Sequence, residues 1–209
     1  MSKPTILLLG AGGHARACID VIEQEGRYEI VGLIGLPEQA GDTVLGYSVI
    51  GSDADIPRLA GVCECALVTT GQIKTPDVRI RLFAELERLG IELPAVISPR
   101  AYVSRHASVG LGTIVMHGAI VNAGAAVGRN CILNTQSLIE HDVIVADHCH
   151  IATRAAVNSG TTVGSGTFIG SGSTVKQQLS LGNRCVVGMG QAVRANCGSG
   201  SQVPARRIP

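Results

Sequence analysis

IVMHGAIVNAGAAVGRNCILNTQSLIEHDVIVADHCHI, residues 114–151, places an aliphatic side chain at every sixth position: Val115, Val121, Val127, Leu133, Ile139, Val145 and Ile151. The step continues outward, back to Ile97, Val103 and Val109 and on to Val157, Val163, Ile169, Val175, Leu181, Val187 and Val193. All seventeen positions are Ile, Leu or Val. A surface helix would repeat its apolar residues every 3.6 positions and a half-buried strand every two. An unbroken period of six is that of a hexapeptide β-helix, a prism of short strands joined by tight corners.

A second register supports this reading. Four residues after each aliphatic come Ala101, Ala107, Thr113, Ala119, Ala125, Cys131, Ser137, Val143, Cys149, Ala155, Thr161, Thr167 and Ser173. Residues of this size fit where the walls of a prism converge. Leu179 and Gln191 break the register, which predicts a fraying C-terminal end. Gly110, Gly112, Gly128, Gly164, Gly170, Gly182 and Gly188 are expected to be corners with positive φ. Three hexapeptides make one coil, so the repeats predict five to six coils, stacked at roughly 4.8 Å into about 25 Å of prism. The open strand edges at its ends require caps.

The rest of the composition narrows the class. With 209 residues and 45% hydrophobic content there is material for a sizeable core. Seventeen basic against sixteen acidic residues, two Phe, three Tyr and no Trp argue against a nucleic-acid partner. The apolar run in MSKPTILLLGAGG is too short for a signal peptide, and no stretch approaches the roughly 20 apolar residues of a membrane span. A cytoplasmic protein is expected. The seven cysteines contain no C-x-x-C pair; Cys131, Cys149, Cys185 and Cys197 fall in the small inward register, where a free thiol packs as a small hydrophobe.

Residues 1–96 read differently from residues 97–209. KPTILLLGAGGHARACIDVIEQEG predicts a strand, a glycine-rich turn and an amphipathic helix. EIVGLIG and ECALVTTG predict two further strands, TPDVRIRLFAELERLG a helix, and ELPAVIS a last strand entering the repeat. Together they form a small Rossmann-like unit with a parallel sheet, which also caps the prism. Backbone N–H groups of Gly10-Ala11-Gly12-Gly13-His14, at a strand end and helix start, can hold a phosphate. The loop lacks the full G-x-G-x-x-G, and Ile34-Gly35-Leu36 stands where a nicotinamide ribose would want an acid, so that cofactor is disfavoured.

The histidines are His14, His106, His117, His141, His148 and His150. None of their spacings suits the zinc sites of β-helix carbonic anhydrases, so no metal is expected. His141 and Asp142 fall just past an aliphatic position, at a corner. In a straight strand adjacent side chains diverge, but a corner can bring the carboxylate round to the imidazole, fixing its tautomer and strengthening the other nitrogen as a base. A solvated surface pair is the alternative reading of the same residues.

The GAGGHA loop, the N-x-x-S-x-I-E-H-D run from Asn134, the D-H-C-H-I-A run from Asp147 and the terminal VPARR together resemble the bacterial sugar acyltransferases. That family includes sialic acid O-acetyltransferases and nucleotide-amino-sugar N-acetyltransferases. The resemblance runs essentially end to end, and it implies a left-handed β-helix, a homotrimer and acetyl-CoA as co-substrate. Carried across residue by residue, it makes His141 the general base and Asp142 its partner. It sets His150 beside the thioester, and Ser171 and Met189 along the pantetheine. Gly12, Gly13 and His14 would take the diphosphate of a nucleotide-linked amino sugar, and Gly35, Leu36 and Gly71 its nucleoside. At Gly35 and Leu36 many relatives are acidic. The implied reaction is N-acetylation, with GDP-perosamine the substrate favoured and lipopolysaccharide O-antigen synthesis the setting. O-acetylation of a sialic acid-like sugar and a non-catalytic scaffold are the rival readings.

Overall fold

In a computed structural model, which describes residues 2–204, the chain begins with β1 (Thr5–Leu9), α1 (Gly13–Glu25) and β2 (Glu29–Ile34). There follow β3 (Thr43–Val44), β4 (Tyr47–Gly51), α2 (Ile56–Ala60), β5 (Cys65–Val68) and α3 (Asp77–Leu89). The sheet order is β3-β4-β2-β1-β5, parallel except for the β3–β4 hairpin. This hairpin was not expected. Its signal is Leu45-Gly46, both at positive φ, the pattern of a two-residue type I′ turn.

Burial on both faces explains the unbroken apolar run of β1. On one face Ile6 and Leu8 meet Ala15, Cys18, Ile19 and Ile22, the apolar stripe of α1. On the other, Leu7 and Leu9 meet Ile56 of α2 and Leu82, Phe83 and Leu86 of α3. Gly26 ends α1 in the left-handed conformation and donates to Ile22 O at 2.9 Å.

ELPAVIS does not extend this sheet as a full strand. Only Glu92 touches it, bridging Cys65, and Val96–Ile97 is already the first rung of the prism, paired with Ile114–Val115. From there two-residue strands recur every six residues, each parallel to the one 18 residues on, as Leu138–Ile139 is to Ala156–Val157. They make three faces, consistent with a left-handed β-helix. The face carrying Val96, Ile114, Ile132 and His150 is covered by the α/β part, with Val96, Ile114, Met116 and Ile132 sharing the core of α1. Glu25, at the end of α1, accepts the outward N–H of Ile97 at 3.4 Å and so helps cap the first rung. The second face runs from Tyr102–Val103 to Ala192–Val193 and the third from Ser108–Val109 to Ser180–Leu181.

The seventeen aliphatics form one cluster, and fourteen of them are at most 4% exposed. At about 1.5–3 kcal/mol per buried aliphatic side chain, this column is the main favourable contribution to the prism.

The glycine expectation needs correction. Positive φ occurs at every sixth residue from 112 to 190, and of the seven glycines named only Gly112 has it. Gly110, Gly128, Gly164, Gly170 and Gly182 follow an inward aliphatic and are small for a different reason: coils stack too closely for a Cβ. A side chain at Gly110 would sit 2.6 Å from the carbonyl carbon of Gly128, and one at Gly164 2.5 Å from that of Gly182.

The C-terminal end does not fray at Gln191 either, since that residue's N–H donates to Ser173 Oγ at 2.9 Å and Ala192–Val193 pairs with Thr174–Val175. The last coil is two residues short, because Val186–Val187 pairs with Gln202–Val203. Cys131, Cys149 and Cys185 are buried as expected, but Cys197, in the short coil, is only partly so. Residues 205–207 of VPARR lie outside the described residues.

Candidate active site

A crevice of about 590 Å³ opens at the C-terminal ends of the parallel strands, where ligands of such sheets bind. Gly12, Gly13, His14, Gly35, Leu36 and Gly71 all line it. Gly10 is dictated by the fold: its φ is +128°, and a Cβ would sit 2.6 Å from Thr70 N. Gly12 and Gly13 are not, because a Cβ at either would meet nothing within 4 Å. Gly12 caps α1 without a side chain, so first-turn N–H groups face the crevice unshielded. Across the mouth Arg81 of α3 donates to Asp53 at 2.6 Å.

A second cavity of about 470 Å³ shares Gly13, His14 and Gly71 with the first and adds Gln72, Asn134 and His150. His150, on the covered face, is 7% exposed. Its Nδ1–H donates to Gln72 O at 2.6 Å, which leaves Nε2 to accept from Asn134 Nδ2 at 3.2 Å. Burial lowers its pKa to about 4, helped by the charge of Arg79. His14, whose ring centroid lies 6.4 Å from that of His150, is lowered to about 3 by burial, then by Arg79 and His150. Both imidazoles are neutral at pH 7.

His141 lies elsewhere, on the edge between the second and third faces. Asp142 takes the left-handed corner with φ 59°, and this folds its carboxylate back, so His141 Nδ1 donates to Asp142 Oδ2 at 2.8 Å. Nε2 is left open to solvent; the side chains are 59% and 69% exposed. Glu140 steadies the corner by accepting from His141 N at 3.2 Å and Asn122 Nδ2 at 3.1 Å. Gly124, one coil below, is also at positive φ, and a Cβ there would collide with the Asp142 carboxylate.

Residues 5–84 match the PglD N-terminal domain family. Across the whole chain the structure resembles the acetyltransferase domain of PglB from Neisseria gonorrhoeae FA1090, at 26% identity and TM-score 0.87 over 98% of each chain. The same domain in complex with acetyl coenzyme A matches at 26% identity and TM-score 0.85 over 96% of each. The H141N mutant of perosamine N-acetyltransferase from Caulobacter crescentus, in complex with CoA and GDP-perosamine, matches at 28% identity and TM-score 0.86 over 93% of this chain and 91% of that one. No curated protein sequence matches significantly. These likenesses support an acyltransferase of the bacterial sugar acetyltransferase kind.

In this acetyltransferase the residues named from sequence fall into separate places. Gly12, Gly13, His14, Gly35, Leu36, Gly71 and His150 gather around the two neighbouring cavities. Ser171 and Met189 are exposed on the edge between the covered and second faces, one coil apart, with Gly190 N donating to Ser171 O at 2.9 Å. His141 and Asp142 are not brought to either group within one chain. Polar contacts between the α/β part and the prism, such as His117–Asp20, Gln72–Gly166, Arg129–Glu87 and Arg184–Asp77, lie on the covered face or its two bordering edges. The His141 edge is the third, opposite one. Among the described residues no group of three His, Cys, Asp or Glu converges as metal ligands do, and no helix is long and apolar enough to cross a membrane.

Sequence reading missed Gln72, Arg79, Thr69, Thr70, Gln39, Asp53 and Arg81. Gln39, Asp53, Thr69, Thr70 and Gln72 follow the C-terminal ends of strands, Arg79 lies on the inner stripe of α3, and Arg81 lies on its exposed face.

Proposed function

We propose that this acetyltransferase N-acetylates a nucleotide-linked amino sugar, with acetyl-CoA as donor and GDP-perosamine as the favoured substrate, and that His141 is the general base. The observation carrying this reading is the His141–Asp142 pair: the carboxylate occupies Nδ1 and leaves Nε2 an outward-facing base. The relatives in complex with acetyl coenzyme A, and with CoA and GDP-perosamine, supply the chemistry of the two partners. Residues 1–96 would hold the sugar nucleotide, its diphosphate on Gly12, Gly13 and His14 and its nucleoside near Gly35, Leu36 and Gly71. Residues 97–209 would hold acetyl-CoA along His150, Ser171 and Met189.

The amine nitrogen attacks the thioester carbonyl carbon, and His141 Nε2 takes the proton that nitrogen sheds. The C–S bond then breaks, the acetyl group stays on nitrogen and CoA leaves as the thiolate, to be protonated from the imidazolium or solvent. Asp142 stabilises the imidazolium between these steps. No acyl-enzyme is required, and Cys149, whose thiol pKa burial raises well above the ordinary value, is a poor nucleophile.

Because His141 projects from the edge opposite the α/β part, its partner cavities come from another copy of the chain. This favours a homotrimer with active sites between protomers. The test uses acetyl-CoA consumption with GDP- and UDP-linked amino sugars. His141→Ala should leave the assembly intact and lower turnover about 10²- to 10⁴-fold, with Asp142→Asn costing less. Near-normal turnover in His141→Ala removes the base; a sialic acid-like sugar outperforming every amine would make the enzyme an O-acetyltransferase.

A further inference from the structure

The buried stripe of α3 runs Arg79, Leu82, Phe83, Leu86, so a guanidinium occupies a position where helical spacing calls for an apolar side chain. Arg79 is 1% exposed. Its Nη1 donates to Val68 O at 2.8 Å and Thr70 O at 2.7 Å, and its Nη2 to Asn130 O at 3.1 Å and Asn130 Oδ1 at 2.6 Å. All four acceptors are neutral, Nε has no partner, and among the described residues no carboxylate pairs with it. A buried charge without a counter-ion is costly, and carbonyl dipoles orient around it without cancelling it.

The location of this charge suggests what offsets the cost. Thr70, whose carbonyl Arg79 holds, lines the crevice, and its hydroxyl donates to Leu9 O at 3.1 Å. Thr69 donates to Gly10 O at 2.8 Å. The guanidinium therefore stands one residue behind the glycine loop, with only protein between them, and its field already reaches His14 and His150. Low-dielectric surroundings preserve such a field where surface charges would be screened.

We propose that Arg79 is a positioning residue for the sugar-nucleotide site: its unpaired charge is the buried counter-charge of the ligand's diphosphate, and its fork fixes the Thr70 strand end that the loop leans on. This rests on the nucleotide site proposed above. Unlike a lysine in the crevice, it would attract the diphosphate without touching it, leaving the backbone N–H groups as the direct contacts.

Titration calorimetry of the full-length protein with GDP and guanosine, and with UDP and uridine, separates charge from scaffolding. Arg79→Gln should weaken the preferred nucleoside diphosphate about ten- to a hundredfold while its nucleoside changes less than about twofold. Arg79→Lys, which keeps the charge and loses the fork, should retain most of the preference for diphosphate over nucleoside. Equal losses for diphosphate and nucleoside, or no loss in Arg79→Gln, overturn the proposal. If Arg79→Gln does not fold, the Arg79→Lys preference decides alone, and its collapse to that of a neutral site is refuting. A wild-type protein that binds neither GDP nor UDP overturns the nucleotide site itself, and the role of Arg79 with it.

Discussion

Acidification should destabilise this acetyltransferase before its carboxylates titrate, and His150 gives the amount. In the unfolded chain its imidazole has a pKa near 6.5; folded, burial and Arg79 lower it to about 4. Between those values the unfolded state binds a proton that the native state refuses, so stability present above pH 6.5 is lost as pH falls towards 4. Each pH unit is worth about 1.4 kcal/mol, so going from pH 7 to pH 5 removes about 2 kcal/mol through this one residue. Other groups titrate too, His14 in the same direction, so the measurement is a difference. His150→Asn keeps an N–H for Gln72 O and cannot charge. Denaturant unfolding of both proteins at one protein concentration, at pH 7, 6 and 5, should show the wild-type advantage over His150→Asn shrinking by about 2 kcal/mol. An advantage that stays constant with pH would refute the assignment of His150 as a neutral, buried imidazole.

Gly124→Ala should act on the base without touching it. The new methyl displaces the Asp142 carboxylate, so kcat should fall towards that of Asp142→Asn with KM little changed, and the positive φ should cost about 1–2 kcal/mol in unfolding. Ile139→Ala removes a fully buried side chain from the centre of the prism and should cost about 2–5 kcal/mol by denaturant unfolding. Mixing His141→Ala with Gly13→Trp, which fills the loop side of the crevice, should restore activity that neither variant has alone; failure to complement in verified mixed oligomers would place the whole site in one chain.

The prism was legible because its period is a consequence of geometry: three faces and one inward side chain per face force aliphatics six apart, and the sequence obeys this from Ile97 to Val193. The corners were legible too, but the glycines were assigned the wrong cause. Spacing marks Gly110 and Gly164 as special, yet only the neighbouring coil shows that contact, not φ, forbids a side chain. His141 could be picked out because its pairing with Asp142 is local. The polar contacts of His150 were not, since Gln72 lies 78 residues away in sequence. Arg79 could have been found: it stands three, four and seven residues before Leu82, Phe83 and Leu86, while Arg81, two positions on, faces outward.

The positive-φ corners show how the repeat accommodates chemistry. Any L residue other than glycine pays to be there, and Asn, Asp and His pay least. Seven corners in the prism nevertheless carry side chains: Asn130, Gln136, Asp142, His148, Arg154, Gln178 and Arg184. Among the described residues all but Gln178 have a polar side-chain partner. Asn130 meets Arg79 and His148, Gln136 meets Arg154 one coil above, Arg184 reaches Asp77, and Asp142 meets His141. Most of these tie coil to coil or prism to α/β part. Asp142 alone among them bonds only its own neighbour, on the edge that faces away from the α/β part. A corner strained for architecture would be expected to join two elements; one strained to orient a single exposed imidazole is better explained by what that imidazole does.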